Sequence, residues 1–367
     1  MNAATSWRIA RDTAGFALAT SLMLACAVAQ DLDAAPCRDA DKGCLLRAIR
    51  SHAVHKLSAW EADRARPLPD RVGAAPPLMV EYLNLDNRLN DYPERPRAAK
   101  LDSAFLEDLK GAMADLPPPV LRLFERRLIG VYLVEDLGGT GFTDFTVDEA
   151  DRPVAGYIVL DAAVLQHLTA NAWASWKENT AFKPQDSYRL DARIESDAQD
   201  NRRNAIQYIL LHELGHVLSI GGGVHPPWNI DPKEVDTSVQ YPFYALSWKV
   251  DRAENKYATL FDAEFPQRKN VAYYFGAKLA GDEMLPTYVN LEQTNFPSLY
   301  AATRPGDDFA EAFASYVHAV LMQRPWQITI SRDGASVRVF KSCWDEARCK
   351  EKRYLLEKMI QRPAASD

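Results

Sequence analysis

The chain lacks an excess of positive charge. Lys plus Arg number 43 against 50 Asp plus Glu, for a formal net charge of -7. That balance leaves no electrostatic footprint for nucleic acid and no broad basic face for an anionic membrane. Past residue 29 the chain also lacks any segment long and apolar enough to span a bilayer. Internal repeats at the usual periods are missing. Cysteine is scarce and odd in number, at five. What is present is ordinary globular material. Hydrophobic residues make up 47% and charged residues 25% of 367 positions, which argues against a disordered chain. That length can bury a large core, in one big domain or two modest ones.

Residues 1–29 have the pattern of an export signal. Arg8 and Arg11 form a short basic start, with Asp12 against the pattern. An apolar run from Ala14 to Val28 follows, and Ala27-Val28-Ala29 makes a small-x-small cleavage site before Gln30. The run is short for a membrane anchor. A variant reading takes Leu22-Met23-Leu24-Ala25-Cys26 as a lipobox with Cys26 lipid-anchored, although Met23 stands where Leu is usual. Cleavage after Ala29 removes Cys26 and leaves Cys37, Cys44, Cys343 and Cys349. An even set in an exported chain, periplasmic or secreted, predicts disulfides. The local pairs Cys37–Cys44 and Cys343–Cys349 close small loops and are preferred; a clasp joining the two ends of the chain is the alternative.

The hydropathy pattern predicts an α+β fold with mainly helical elaborations. Helical spacing marks Cys44–Arg66, Leu101–Leu116 with Asp102 or Ser103 as cap, a basic helix from Pro117 to about Leu128, Asn201–Ile220, Asp307–Met322 and about Glu351–Gln361. Strands are expected at Gly130–Glu135 and Gly156–Asp161. Gln327–Ile330 and Ser336–Phe340 flank a turn with Asp333-Gly334 and make a hairpin. The expected organisation is a signal at 1–29, an N-terminal helical region at 30–116, a catalytic domain at 117–330 and a C-terminal hairpin and helix at 331–367. An insertion at about 224–300 carries 14 aromatics in 77 positions. That density predicts a folded element, either a wall over the active cleft or a helical elaboration.

His212-Glu213-Leu214-Gly215-His216 lies in the Asn201–Ile220 helix, which Gly221-Gly222-Gly223 ends. Two His at i and i+4 project from one helix face, so both imidazoles can reach one Zn²⁺. Glu213 can reach a water held there and handle its proton. A catalytic zinc site needs a third protein ligand. The metzincin spacing fails, because Ser219 and Gly222 stand where Gly and His would be required. His225 comes three residues late, after the glycine run, and is expected as a surface or cleft histidine. The stronger candidates are Asp307 and Glu311, four apart on a later helix. One carboxylate can bind the metal while the other orients a ligating His through its free ring nitrogen. Glu311 lies among Phe309, Ala310, Ala312 and Phe313, where a carboxylate needs a partner.

HELGH followed by Tyr300, an acid seven residues on, and Ala310-Glu311 before Phe313 resembles the catalytic core of anthrax lethal factor. It is similar also to the bacterial Pro-Pro endopeptidases. These are gluzincin-type zinc metallopeptidases. The resemblance covers residues 212–216 and 300–313. It implies a zincin-like catalytic domain, with His212 and His216 as ligands and Glu213 as general base. Asp307 would be the third ligand, Glu311 the carboxylate behind a His, and Tyr300 the donor to the oxyanion. Two departures matter. Asp307 stands where the family has Glu, which leaves Glu311 or Asp308 as alternative ligands. The 90 residues between His216 and Asp307 also make a long spacer. Zincins bind substrate along a sheet edge, and Gly156–Asp161 is the candidate edge. The activity so implied is exported, zinc-dependent peptide-bond hydrolysis on a protein or peptide substrate. The alternative is a catalytically silent zinc-binding scaffold or interaction factor.

Overall fold

The computed structural model describes residues 37–361, except 229 and 275. The export signal expected at 1–29, Cys26 included, lies outside the described residues.

Helix α1 (Lys42–Arg50) is capped by Asp41, whose side chain accepts the Cys44 N–H. The helical spacing through Arg66 does not become one helix. Beyond Arg50 the chain makes two 3-10 turns and the single-turn helix α2 (Glu61–Arg64). The reason is local: the Val54 N–H goes to the His52 ring, and the Val54 carbonyl accepts the Trp60 indole. Next come strand β1 (Val72–Ala74), helix α3 (Pro77–Leu89), strand β2 (Arg97–Ala98) and helix α4 (Ser103–Ala114). Asp102 caps α4 by accepting the Phe105 N–H at 2.7 Å. Helix α5 (Pro118–Phe124) stops short of Leu128, which opens strand β3 (Leu128–Glu135).

Strands β4 (Gly141–Val147) and β5 (Pro153–Asp161) complete a five-stranded sheet of order β1-β3-β5-β4, with β2 also on β3. Strands β1 and β5 run parallel to β3, while β4 runs antiparallel to β5. One expectation is thereby corrected. Gly156–Asp161 is not an edge; it lies in β5, paired on both sides, and β4 forms the edge. The physical reason is plain. A strand buried on both faces is a near-continuous apolar run, conspicuous in sequence. The true edge mixes Phe142 and Phe145 with Thr143, Asp144 and Thr146, with no regular alternation, and is quieter. Along β5, Ala155, Tyr157 and Val159 pack toward the N-terminal helices, and Ile158 and Leu160 toward the main core. Strands β1 and β2 of the expected N-terminal region therefore belong to the same sheet as the segment that follows it.

Helices α6 (Ala162–Leu165) and α7 (Ala170–Asn179) and strand β6 (Tyr188–Arg193) precede α8 (Arg202–Ser219). Asn201 caps α8, and almost every side chain from Asn204 to Ser219 is buried. A helix buried on nearly every side lies inside the fold, and its buried polar residues Gln207, His212 and Glu213 need partners there. The aromatic insertion folds as a hairpin, β7 (Trp248–Asp251) and β8 (Lys256–Thr259), several 3-10 turns and helix α9 (Met284–Leu291). Its Phe243, Trp248, Phe265, Tyr273, Tyr288 and Phe296 join the main core. Helix α10 (Pro305–Tyr316) runs on into one π turn, Val317–Leu321. Strands β9 (Gln327–Arg332) and β10 (Ala335–Lys341) turn at Asp333 and Gly334, both at positive φ, as a two-residue hairpin turn demands. Strand β9 adds to β6. Helix α11 (Lys350–Gln361) closes the described chain. Both local disulfides, Cys37–Cys44 and Cys343–Cys349, are formed. The fold is α+β, and no helix among the described residues could cross a membrane.

Candidate metal centre

Helices α8 and α10 cross at Gly215. A Cβ on Gly215 would stand 2.6 Å from the Ala310 Cα and 3.1 Å from its carbonyl oxygen, so only glycine allows this approach. On the sheet side Gly156 faces α8 through side chains, where a Cβ would meet the Ile220 Cδ1 at 2.5 Å.

That crossing turns one face of α10 onto the two histidines. The His212 and His216 Nε2 atoms are 3.2 Å apart. The Asp307 Oδ1 lies 3.6 Å from the His216 Nε2. Ligand atoms of His212, His216 and Asp307 all fall within 4.8 Å of one another. Zn–N bonds of about 2.0–2.1 Å at a tetrahedral angle put two nitrogens about 3.3 Å apart. The Asp307 Oδ2 accepts the Thr303 hydroxyl, while its buried Oδ1 has no hydrogen-bond partner. A buried, unpaired carboxylate oxygen facing two imidazoles suits a cation, so this group can hold a metal ion. Burial works against charge on both Asp307 and His216. Their mutual contact prevails, holding the carboxyl below and the imidazole above their ordinary values.

The other candidate carboxylates point elsewhere. The Glu311 Oε1 stands 2.9 Å from the His212 Nδ1, behind the ring rather than at the ligand triangle. It also accepts Lys177 Nζ at 2.7 Å, and the Glu311 Oε2 accepts the Ser298 hydroxyl at 2.7 Å. Burial would raise the Glu311 pKa, but the Lys177 charge and His212 hold it far below the carboxylate range. Asp308 faces away, in a buried pair with Lys352 at 2.5 Å and accepting the Trp248 indole at 3.0 Å.

Glu213 is buried, and its Oε2 accepts the Thr143 hydroxyl at 2.7 Å. Thr143 belongs to the edge strand β4, so the strand touches the carboxylate next to the ligand pair. The Tyr300 ring lies 5.6 Å from the His212 ring. Burial pushes its phenol well above 10, so it stays a donor. The insertion walls the site. Tyr273 and Tyr274 pack on Tyr300 at 4.8 and 6.3 Å, and Trp228 meets His216 at 5.6 Å. His225 is buried rather than at the surface. Its Nδ1 stands 2.7 Å from the Pro226 carbonyl, and its Nε2 accepts the Trp228 indole, which leaves no nitrogen for a metal. Burial pushes its pKa down to about 4.

Thr143, Lys177 and Trp228 carry no motif and were not legible as site residues. Comparison with family models, curated proteins and solved structures finds no match to this chain.

Proposed function

We propose that the chain is an exported zinc-dependent metallopeptidase of zincin-like, gluzincin type, hydrolysing peptide bonds in a protein or peptide. The observation that carries this reading is the convergence of His212, His216 and Asp307 beside Glu213, which an edge strand holds by Thr143. Those ligands would leave a fourth position open. Zn²⁺ there would polarise the scissile carbonyl and bring a coordinated water to a pKa of about 7. Glu213 would take the proton and pass it to the leaving amine. Tyr300, neutral in its buried setting, would donate to the oxyanion. The substrate would lie extended along β4, the sheet edge that reaches Glu213 through Thr143. Two local disulfides support an oxidising compartment.

The test is metal analysis and peptide-library cleavage of wild type and Glu213→Gln. Wild type should bind zinc and cleave. Glu213→Gln should keep the zinc and lose about 10²–10⁴-fold in rate. Bound zinc with no cleavage by wild type would sink the enzyme reading in favour of a silent scaffold.

A further inference from the structure

Lys177, on α7, lies outside both motifs and is only 5% exposed. Its Nζ is 2.7 Å from the Glu311 Oε1, 3.8 Å from the Glu178 Oε1 and 4.5 Å from the Tyr300 ring centroid. Glu178 is buried too and accepts the hydroxyls of Tyr273 and Tyr288 at 2.7 and 2.8 Å. Both tyrosines belong to the aromatic insertion. One buried series of contacts thus runs from the insertion through Glu178, Lys177 and Glu311 to His212.

A buried charge persists only when paired, and removing one partner leaves the other uncompensated. Here one ammonium serves two carboxylates. The Glu311 oxygen that it holds is the same oxygen that meets the His212 ring nitrogen. Without the ammonium, the Glu311 carboxylate would be left buried and uncompensated beside Glu178, and it would leave its place behind His212. The Tyr300 ring would lose its cation as well.

We propose that Lys177 is a positioning residue of the metal centre. It clamps Glu311 against His212, fixes the Tyr300 ring, and couples metal affinity to the aromatic insertion. The inference rests on the zinc reading above. It concerns how the histidine is oriented, since Lys177 touches neither the ligand triangle nor Glu213.

The experiment uses the full chain and two variants, Lys177→Met and Lys177→Met with Glu178→Gln. Zinc affinity is measured by competition with a chromophoric chelator. The visible spectrum of the Co²⁺ form reports ligand geometry. Circular dichroism and a melt report folding. Loss of a partner behind a ligating histidine typically weakens metal binding by about 10–100-fold. Lys177→Met should show that loss together with altered Co²⁺ bands. A lower melting temperature with unchanged zinc affinity and unchanged Co²⁺ bands would reduce Lys177 to a packing residue and overturn the proposal. If Lys177→Met fails to fold, the double variant, which also removes the Glu178 carboxylate but still lacks the clamp on Glu311, decides by the same readouts. Wild type that takes up neither Zn²⁺ nor Co²⁺ would instead overturn the zinc reading itself.

Discussion

Gly215 and Ala310 are in backbone contact: a side-chain carbon on the first would overlap the Cα of the second. This crossing brings Asp307, one turn before Ala310, and Glu311, just after it, against His212 and His216. The glycine inside the HExxH segment therefore has a packing role of its own.

Gly215→Ala tests that contact. Intrinsic helix propensity alone would favour alanine by about 1 kcal/mol. Overpacking at a rigid backbone contact costs about 1–3 kcal/mol, so the variant should melt lower and hold less zinc per chain. Full zinc with an unchanged melt would mean that the helices yield freely.

The three acidic residues of α10 should separate by readout. Asp307→Ala should lose more zinc affinity than Glu311→Ala, whose loss is about 10–100-fold. Asp308→Asn should destabilise the fold by about 3–5 kcal/mol through Lys352, leaving the zinc affinity of folded protein unchanged. Chelator titration and urea unfolding measure the two effects. If Asp307→Ala keeps full affinity, its assignment as ligand is wrong.

Thr143→Val removes the hydroxyl that meets Glu213 at 2.7 Å. Hydrogen bonds to charged groups are worth about 1.5–3 kcal/mol, which corresponds to about 10–100-fold in kcat/KM. Zinc content should not change. Steady-state kinetics on any cleaved peptide would reveal an idle contact by an unaltered kcat/KM.

His318, in the π turn after α10, supplies a pH dependence separate from the metal. Its Nε2 lies 2.7 Å from the Ile194 carbonyl, and its Nδ1 is buried without a hydrogen-bond partner. Burial pushes its pKa from 6.5 down to about 4. Between those values the unfolded chain binds the extra proton, so stability is full above about pH 6.5 and falls on acidification toward pH 4. The group contributes up to about 3 kcal/mol. His225 shifts in the same direction, so His318→Gln should remove only part of the slope. Urea midpoints at pH 7 and pH 4.5 measure it, and an unchanged slope would rule His318 out.

Much of the site was legible because its pieces are local. The i, i+4 spacings of His212 with His216 and of Asp307 with Glu311 belong to single helices. The Asp102 cap and the Asp333-Gly334 turn are short-range as well, as are both disulfides. Thr143 and Lys177 were not legible, because each meets its partner across a long stretch of chain. Thr143 reaches Glu213 from 70 residues away and Lys177 reaches Glu311 from 134. The edge strand was misassigned because burial on both faces made β5 the more apolar strand, while Thr143, Asp144 and Thr146 break up the apolar pattern of β4.

The sequence by itself determined several of the helices and the two-histidine face, since these depend on backbone geometry over a few residues; the helix expected through Arg66 broke up, and α3, α7 and α9 were not read. It could not decide among Asp307, Asp308 and Glu311. Successive helical residues step by about 100° around the axis, so the choice depends on how α10 is rotated against α8. Tertiary structure settles that rotation at the Gly215–Ala310 contact and anchors it with Lys352 on Asp308 and Lys177 on Glu311. Asp307 is left as the carboxylate facing both histidines with an unpaired oxygen.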